Sequence, residues 1–75
     1  MAEAPAAPSI RVNGQDEPLA AAATVAALLA AKEISPGMRG VAVALNGRVV
    51  ARAAWPTTTL APGDSVEIVL ARQGG

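Results

Sequence analysis

The sequence predicts an α+β domain in which one helix packs on one face of a mixed sheet of four to five strands. Two Asn-Gly pairs, at 13–14 and 46–47, each lie between segments suited to strands. Asn-Gly is the strongest short hairpin signal because a type I′ turn needs positive φ at both central residues. A helical segment lies between the two predicted hairpins. It therefore has to cross over the sheet and cover its apolar face.

The first hairpin is expected to join residues 10–12 to residues 15–17. Ile10 and Val12 flank Arg11, and this alternation is typical of a strand with one buried face. The return segment carries no apolar residue, and Pro18 cannot donate to a ladder. We therefore expect the second strand to be a weak edge strand.

The helix is expected to begin after Thr24, whose side-chain oxygen can accept from a free amide of the first turn. Val25, Leu28 and Leu29 form a narrow apolar stripe at helical spacing. Alanines fill the remaining positions, and Ser-Pro-Gly at 35–37 is expected to end the helix.

The second hairpin and the last strand complete the predicted sheet. In a two-residue hairpin Val43 faces Val50, which places both on the inner side. Trp55 follows in an irregular segment and is expected to cover one end of the core. Asp64 is expected to be a turn residue rather than a catalytic carboxylate, and residues 65–71 alternate as a final strand.

Composition excludes several function classes. The chain of 75 residues has six basic and six acidic residues, and no basic cluster. Nucleic-acid binding and electrostatic attachment to a membrane are therefore not expected. Cys and His are absent, which removes thiolate nucleophiles, disulfides, most zinc sites and the imidazole base. We predict no catalytic residue, no metal ligand and no cofactor.

Three segments are predicted along the chain. Residues 1–8 are Ala/Pro-rich and form an expected disordered leader that lacks the features of a signal peptide. Residues 9–71 form the domain, and residues 72–75 form a flexible tail. The apolar run at 19–31 is too short to span a bilayer, so a cytoplasmic protein is expected.

Several segments together resemble ThiS, the sulfur carrier family of bacterial thiamine (thiazole) biosynthesis. They are TVAALL at 24–29, VAVALNGRVV at 41–50, LAPGDSVEIV at 60–69 and the final Gly74-Gly75. The resemblance implies a ubiquitin-like β-grasp fold with parallel, adjacent first and last strands. Residues 10–12 would then pair with residues 66–70. Ala27 departs from the family, which often has an acidic residue there, and the leader is longer than usual.

The resemblance also implies a function for the C-terminus. Gly75 would be adenylated by a ThiF-like enzyme, which binds the ATP, and converted to a thiocarboxylate with sulfur from a donor protein. Thiazole synthase (ThiG) would then use that sulfur. Arg72, Gln73 and Gly74 would thread into the partner with Gly75. Two glycines suit this role because a backbone without Cβ can pass a narrow channel.

Alternatives from other classes remain at this point. The small subunit of molybdopterin synthase shares the fold and the Gly-Gly end, but tends to be longer and richer in aromatic residues. A ubiquitin-like modifier would join its terminus to lysines of other proteins. A plain interaction domain would carry an inert tail. An enzyme is the least expected class because no acid and base are evident.

Overall fold

The computed structural model describes residues 7–21, 23–35 and 37–71. Its elements, in chain order, are β1 (Ser9–Val12), β2 (Gln15–Pro18), α1 (Val25–Ala31), β3 (Val41–Leu45), β4 (Arg48–Val50), a 3-10 helix (Arg52–Thr57) and β5 (Ser65–Leu70). The strands form one sheet in the order β2-β1-β5-β3-β4, with β1 and β5 parallel and adjacent. This arrangement confirms the α+β, β-grasp architecture. In the part of the chain that is described, no helix is long and apolar enough to cross a membrane.

Both predicted hairpins are confirmed. Asn13 and Gly14 have φ of 50° and 85°, and Asn46 and Gly47 have φ of 51° and 85°. These positive angles are those of a type I′ turn, whose twist matches that of the flanking strands. The second hairpin pairs Val43 with Val50, as its two-residue loop predicts.

The pairing of β1 with β5 is shorter than expected and shifted. The prediction paired the segment 10–12 with the segment 66–70, whereas the structure pairs Arg11 with Ser65 and Val12 with Val66. The ladder stops there because Asn13 begins the turn, and its positive φ carries the backbone away from β5.

Helix α1 begins as predicted and ends earlier than predicted. The Thr24 Oγ1 atom accepts a hydrogen bond of 3.1 Å from the Ala27 N–H. The expectation that residues 35–37 end the helix was wrong, because Glu33 adopts a φ of 62° just after the Lys32 cap. Glu33 N–H then donates to Ala30 and Ile34 N–H donates to Leu29, which is the Schellman pattern.

The core lies between α1 and the inner face of the sheet. Its buried side chains are Ile10, Val12, Val25, Leu29, Ile34, Val43, Trp55, Leu60 and Val66. Trp55 is only 2% exposed, and its indole N–H donates to the carbonyl of Val50 at 3.0 Å. The prediction that Trp55 covers the core is thus confirmed. Leu28, from the predicted apolar stripe, is half-buried rather than buried.

Candidate functional site

The predicted tail follows the C-terminal end of β5. Its four residues, Arg72, Gln73, Gly74 and Gly75, lie outside the described residues. Ala71 directly precedes them, and its N–H donates to the carbonyl of Gly40 at 2.7 Å. The structure therefore defines the root of the tail, and the surfaces around this root are the candidate site.

Gly40 packs against the root of the tail in a conformation that few other residues adopt. Its φ is 76°, in the left-handed region that favours glycine. A Cβ added at Gly40 would lie 2.7 Å from the carbonyl oxygen of Ala71, closer than real Cβ atoms approach. Glycine at this position thus allows the close contact that fixes Ala71 at the sheet.

The outer face of the sheet, opposite α1, carries an exposed apolar patch next to this root. Val49 is 81% exposed and Val69 is 59% exposed. The register places Ala42 opposite Val69, and Ala44 between Val49 and Glu67. These residues line a shallow depression of about 180 Å³. We call Ala42, Ala44, Val49 and Val69 the outer apolar patch.

A second feature lies on the inner side of the sheet, beside the end of β5. A groove of about 530 Å³ opens there, and we call it the end groove. It is lined by Val12, Asn13, Gln15, Glu17, Lys32, Ile34, Ile68 and Leu70. Lys32 donates to Glu17 across it at 2.6 Å, with each side chain about three-tenths exposed. Leu70 is 54% exposed, so the apolar inner row of β5 ends at an open surface.

Asp64 has a structural role. Its Oδ2 atom accepts from the Ala61 N–H at 2.8 Å, and its Oδ1 atom accepts from the Asn46 side chain at 3.0 Å. These bonds hold the turn before β5 and support the turn assignment made from the sequence.

Other charged side chains form no catalytic cluster in the described ranges. Arg11 and Asp16 form an exposed pair at 3.6 Å, and the Arg52 guanidinium stacks 4.6 Å from the centre of the Trp55 ring. Across residues 7–21, 23–35 and 37–71, no group of three or more acidic, His or Cys side chains could hold a metal ion.

Comparison with known protein families identifies the family of this chain. The profile of the ThiS family matches residues 10–75. The chain belongs to the ThiS family. The match includes the four residues of the predicted tail, in addition to almost the whole sheet.

Solved ThiS structures agree with this assignment. The crystal structure of thiamine biosynthesis protein ThiS from Geobacter metallireducens is 35% identical, with a TM-score of 0.73, over 89% of this chain and 99% of that chain. A solution structure of a thiamine biosynthesis protein from the same organism is also 35% identical, with a TM-score of 0.74, over 89% of this chain and 87% of that chain. No curated protein sequence matches at a significant level.

Two features of this ThiS domain are not evident from its sequence. Gly40 is a lone glycine outside any recognised turn pair, so its contact with Ala71 could not be foreseen. The sequence predicts Asn13 as a turn residue, but its side chain also bonds to Ile68 of β5. Both are long-range contacts, and they depend on which strands become neighbours.

Proposed function

We propose that the protein is a sulfur carrier of thiamine biosynthesis and that its reactive group is the carboxylate of Gly75. The observation that carries this proposal is the ThiS family match, which runs through the Gly74-Gly75 end of the sequence. The two similar solved structures are both of thiamine biosynthesis proteins, which favours the thiazole pathway over molybdopterin synthesis.

The chemistry requires activation, because an ionised carboxylate is a poor electrophile. A ThiF-type adenylating enzyme would bind ATP, and a Gly75 carboxylate oxygen would attack the α-phosphate with release of pyrophosphate. A donor protein would deliver sulfide, which would attack the acyl carbon, displace AMP and lose its proton to leave the Gly75 thiocarboxylate. The resulting thiocarboxylate would supply sulfur to thiazole synthase ThiG.

The carrier would act as a cosubstrate rather than as an enzyme. Its contribution is to hold the root of the tail, through Ala71 and Gly40, and to offer surfaces by which a partner can grip the body. The outer apolar patch suits such docking because exposed contiguous apolar surface marks protein contacts. A cytoplasmic location stays a prediction, in keeping with the partner's use of ATP.

Mass spectrometry of the intact chain tests the proposal. The protein is incubated with ATP, a ThiF-type enzyme and a sulfide source, and its mass is followed. We expect a gain that matches replacement of one oxygen by sulfur, and fragmentation should place it on Gly75. A variant with one residue added after Gly75 is the matched control and should stay unmodified. Equal modification of both proteins, or of neither, would rule the proposal out.

A pull-down separates the neighbouring functions. The carrier should retain ThiG and leave behind the large subunit of molybdopterin synthase. The modifier alternative predicts high-mass conjugates in cell extracts, and the proposed function predicts none.

A further inference from the structure

The strand β5 extends beyond the end of its neighbour β1. The last pair between them is Val12 with Val66, after which the chain turns at Asn13. The Asn13 side chain occupies the next position of the ladder. Its Oδ1 atom accepts from the Ile68 N–H at 2.8 Å, and its Nδ2 atom donates to the Ile68 carbonyl at 3.2 Å. The side beyond Asn13 is open among the residues that the structure describes.

The backbone groups of Leu70 point to that open side. Successive residues of a strand direct their N–H and C=O groups alternately to the two neighbouring strands. Ala71 donates to Gly40 on the β3 side, whereas Val66 and Ile68 bond to Asn13 on the β1 side. Leu70 lies two residues after Ile68 and four after Val66, so its backbone groups point to the same side as theirs. Its N–H and C=O therefore face the open side of β5 beyond the end of β1, which we call the open lane.

The end groove supplies a side-chain pocket directly beneath this open lane. Ile34 is buried in its floor and Ile68 is half-buried, while Leu70 is more than half exposed at 54%. The Glu17–Lys32 ion pair borders the apolar floor. A main-chain donor and acceptor above an apolar pocket are the two elements that strand addition uses: the backbone provides affinity, and the pocket selects a side chain.

We propose that the enzyme that activates the tail adds an extended segment to the sheet, beside β5 in the open lane. The segment pairs with the main chain of Leu70 and places one apolar side chain in the end groove. This inference rests on the proposed function. It adds a second contact to the outer apolar patch, which lies on the opposite face of the sheet.

The position of the tail in the sequence favours this occupant over others. Four residues, 72–75, follow Ala71 in the sequence, so an enzyme that acts on the Gly75 carboxylate has to bind close to the end of β5. At about 3.3–3.6 Å per extended residue the carboxylate can lie no more than roughly 14 Å from Ala71. A partner segment beside Leu70 would hold the tail at its root and direct it to the nucleotide.

Residue-resolved hydrogen exchange tests the inference. The full chain, labelled with ¹⁵N, is studied alone and with ATP and a ThiF-type enzyme that adenylates it. We expect the Leu70 amide to exchange fast in the free protein and to be protected in the complex. The Val69 amide, whose groups face β3, is the internal reference and should be protected in both states.

A backbone variant provides the second measurement. The ester analogue of Leu70, made by chemical synthesis, lacks the N–H and keeps the side chain. Because that N–H faces the open lane, thermal unfolding should be unchanged, whereas KM for adenylation should rise about fivefold, the equivalent of one hydrogen bond of about 1 kcal/mol.

Two results together would overturn the strand addition: a Leu70 amide that stays unprotected in the complex, and an unchanged KM for the ester analogue. If the wild-type chain is adenylated normally, the sulfur carrier function would stand. Absence of any adenylation of the wild-type chain, seen by intact mass, would remove the proposed function and this inference with it.

Discussion

Asn13 and Ile68 are 55 residues apart in the chain and are joined by two hydrogen bonds, both between the Asn13 side-chain amide and the Ile68 main chain. The side chain thus takes the place of a strand residue where β1 has ended. Asn46 holds the start of the same strand, because its Oδ1 atom accepts from the Ser65 N–H at 2.9 Å. The two Asn-Gly turns therefore fix β5, the strand that carries the tail, at its start and at Ile68, two residues before its end.

Replacement of Asn13 tests this anchoring. Asn13→Ala removes both bonds to Ile68 and leaves alanine at a positive φ, which costs about 1 kcal/mol or more. Together with the lost hydrogen bonds we expect a loss of about 2–3 kcal/mol in the free energy of unfolding. Urea denaturation followed by circular dichroism measures it.

The matched variant Asn13→Gly separates the two causes. Glycine accepts a positive φ and lacks the amide, so only the hydrogen bonds are lost, at about 1–2 kcal/mol. Equal urea midpoints for wild type and Asn13→Gly would show that the side-chain bonds to Ile68 contribute nothing.

Gly40 is expected to control how the tail leaves the sheet. In Gly40→Ala the new Cβ would lie 2.7 Å from the Ala71 carbonyl, so the root of the tail has to move. A reacting group displaced by a fraction of an ångström to an ångström slows a reaction strongly, and we expect kcat for adenylation to fall about tenfold or more. Steady-state kinetics with a ThiF-type enzyme measures this.

Gly47→Ala is the control for backbone strain. Gly47 has a φ of 85°, similar to the 76° of Gly40, but has no atom within 4 Å of an added Cβ. Both variants should lose about 1 kcal/mol or more of stability through the positive φ, with the larger loss in Gly40→Ala, and only Gly40→Ala should lose kcat. A similar fall in kcat for both would mean that general destabilisation, and not the contact with Ala71, is responsible.

The outer apolar patch is expected to contribute to partner binding. Val49 is 81% exposed on the edge strand β4, where lysine is well tolerated, so Val49→Lys should change stability by about 0.5 kcal/mol or less. A buried charge at the docked interface should raise the Kd for the adenylating enzyme about tenfold or more. Isothermal titration calorimetry with the enzyme gives the Kd.

Ala20→Lys adds the same charge at an exposed position in the loop after β2, at the other edge of the sheet. Its Kd should match that of the wild type. If the two lysine variants bind equally well, the patch is not part of the interface.

Local signals in the sequence predicted most of the fold. Asn-Gly pairs dictate their turns because few residues accept positive φ, and Thr24 caps α1 through a contact three residues away. The end of α1 was misjudged because Glu33, an unusual residue for a left-handed cap, adopts the φ of 62° that glycine normally provides. Local Schellman bonds and the burial of Ile34 at 8% exposure stabilise that choice, and the burial of Ile34 depends on tertiary packing.

The candidate site was less predictable than the fold. The family resemblance located the tail at residues 72–75, but the surfaces around its root depend on strand order. Leu70 continues the alternation of an inner-facing row, yet it is exposed because neither β1 nor α1 extends far enough to cover it. The contact of Gly40 with Ala71 likewise exists only because β3 and β5 are neighbours.

Trp55 is expected to dominate the stability of this small core. It is 2% exposed, and it is the single tryptophan of the chain, so its fluorescence reports unfolding directly. Trp55→Ala should cost about 3–5 kcal/mol, which is close to the whole stability of a domain this size, so the variant should be largely unfolded at 25 °C by circular dichroism. Arg52→Ala removes the cation over the ring at 4.6 Å and should cost only about 1 kcal/mol, with the emission still that of a buried indole. A cooperative thermal transition of Trp55→Ala near the melting temperature of the wild type would contradict this prediction. The core beside Val50 would then be stable without the indole ring that now fills it.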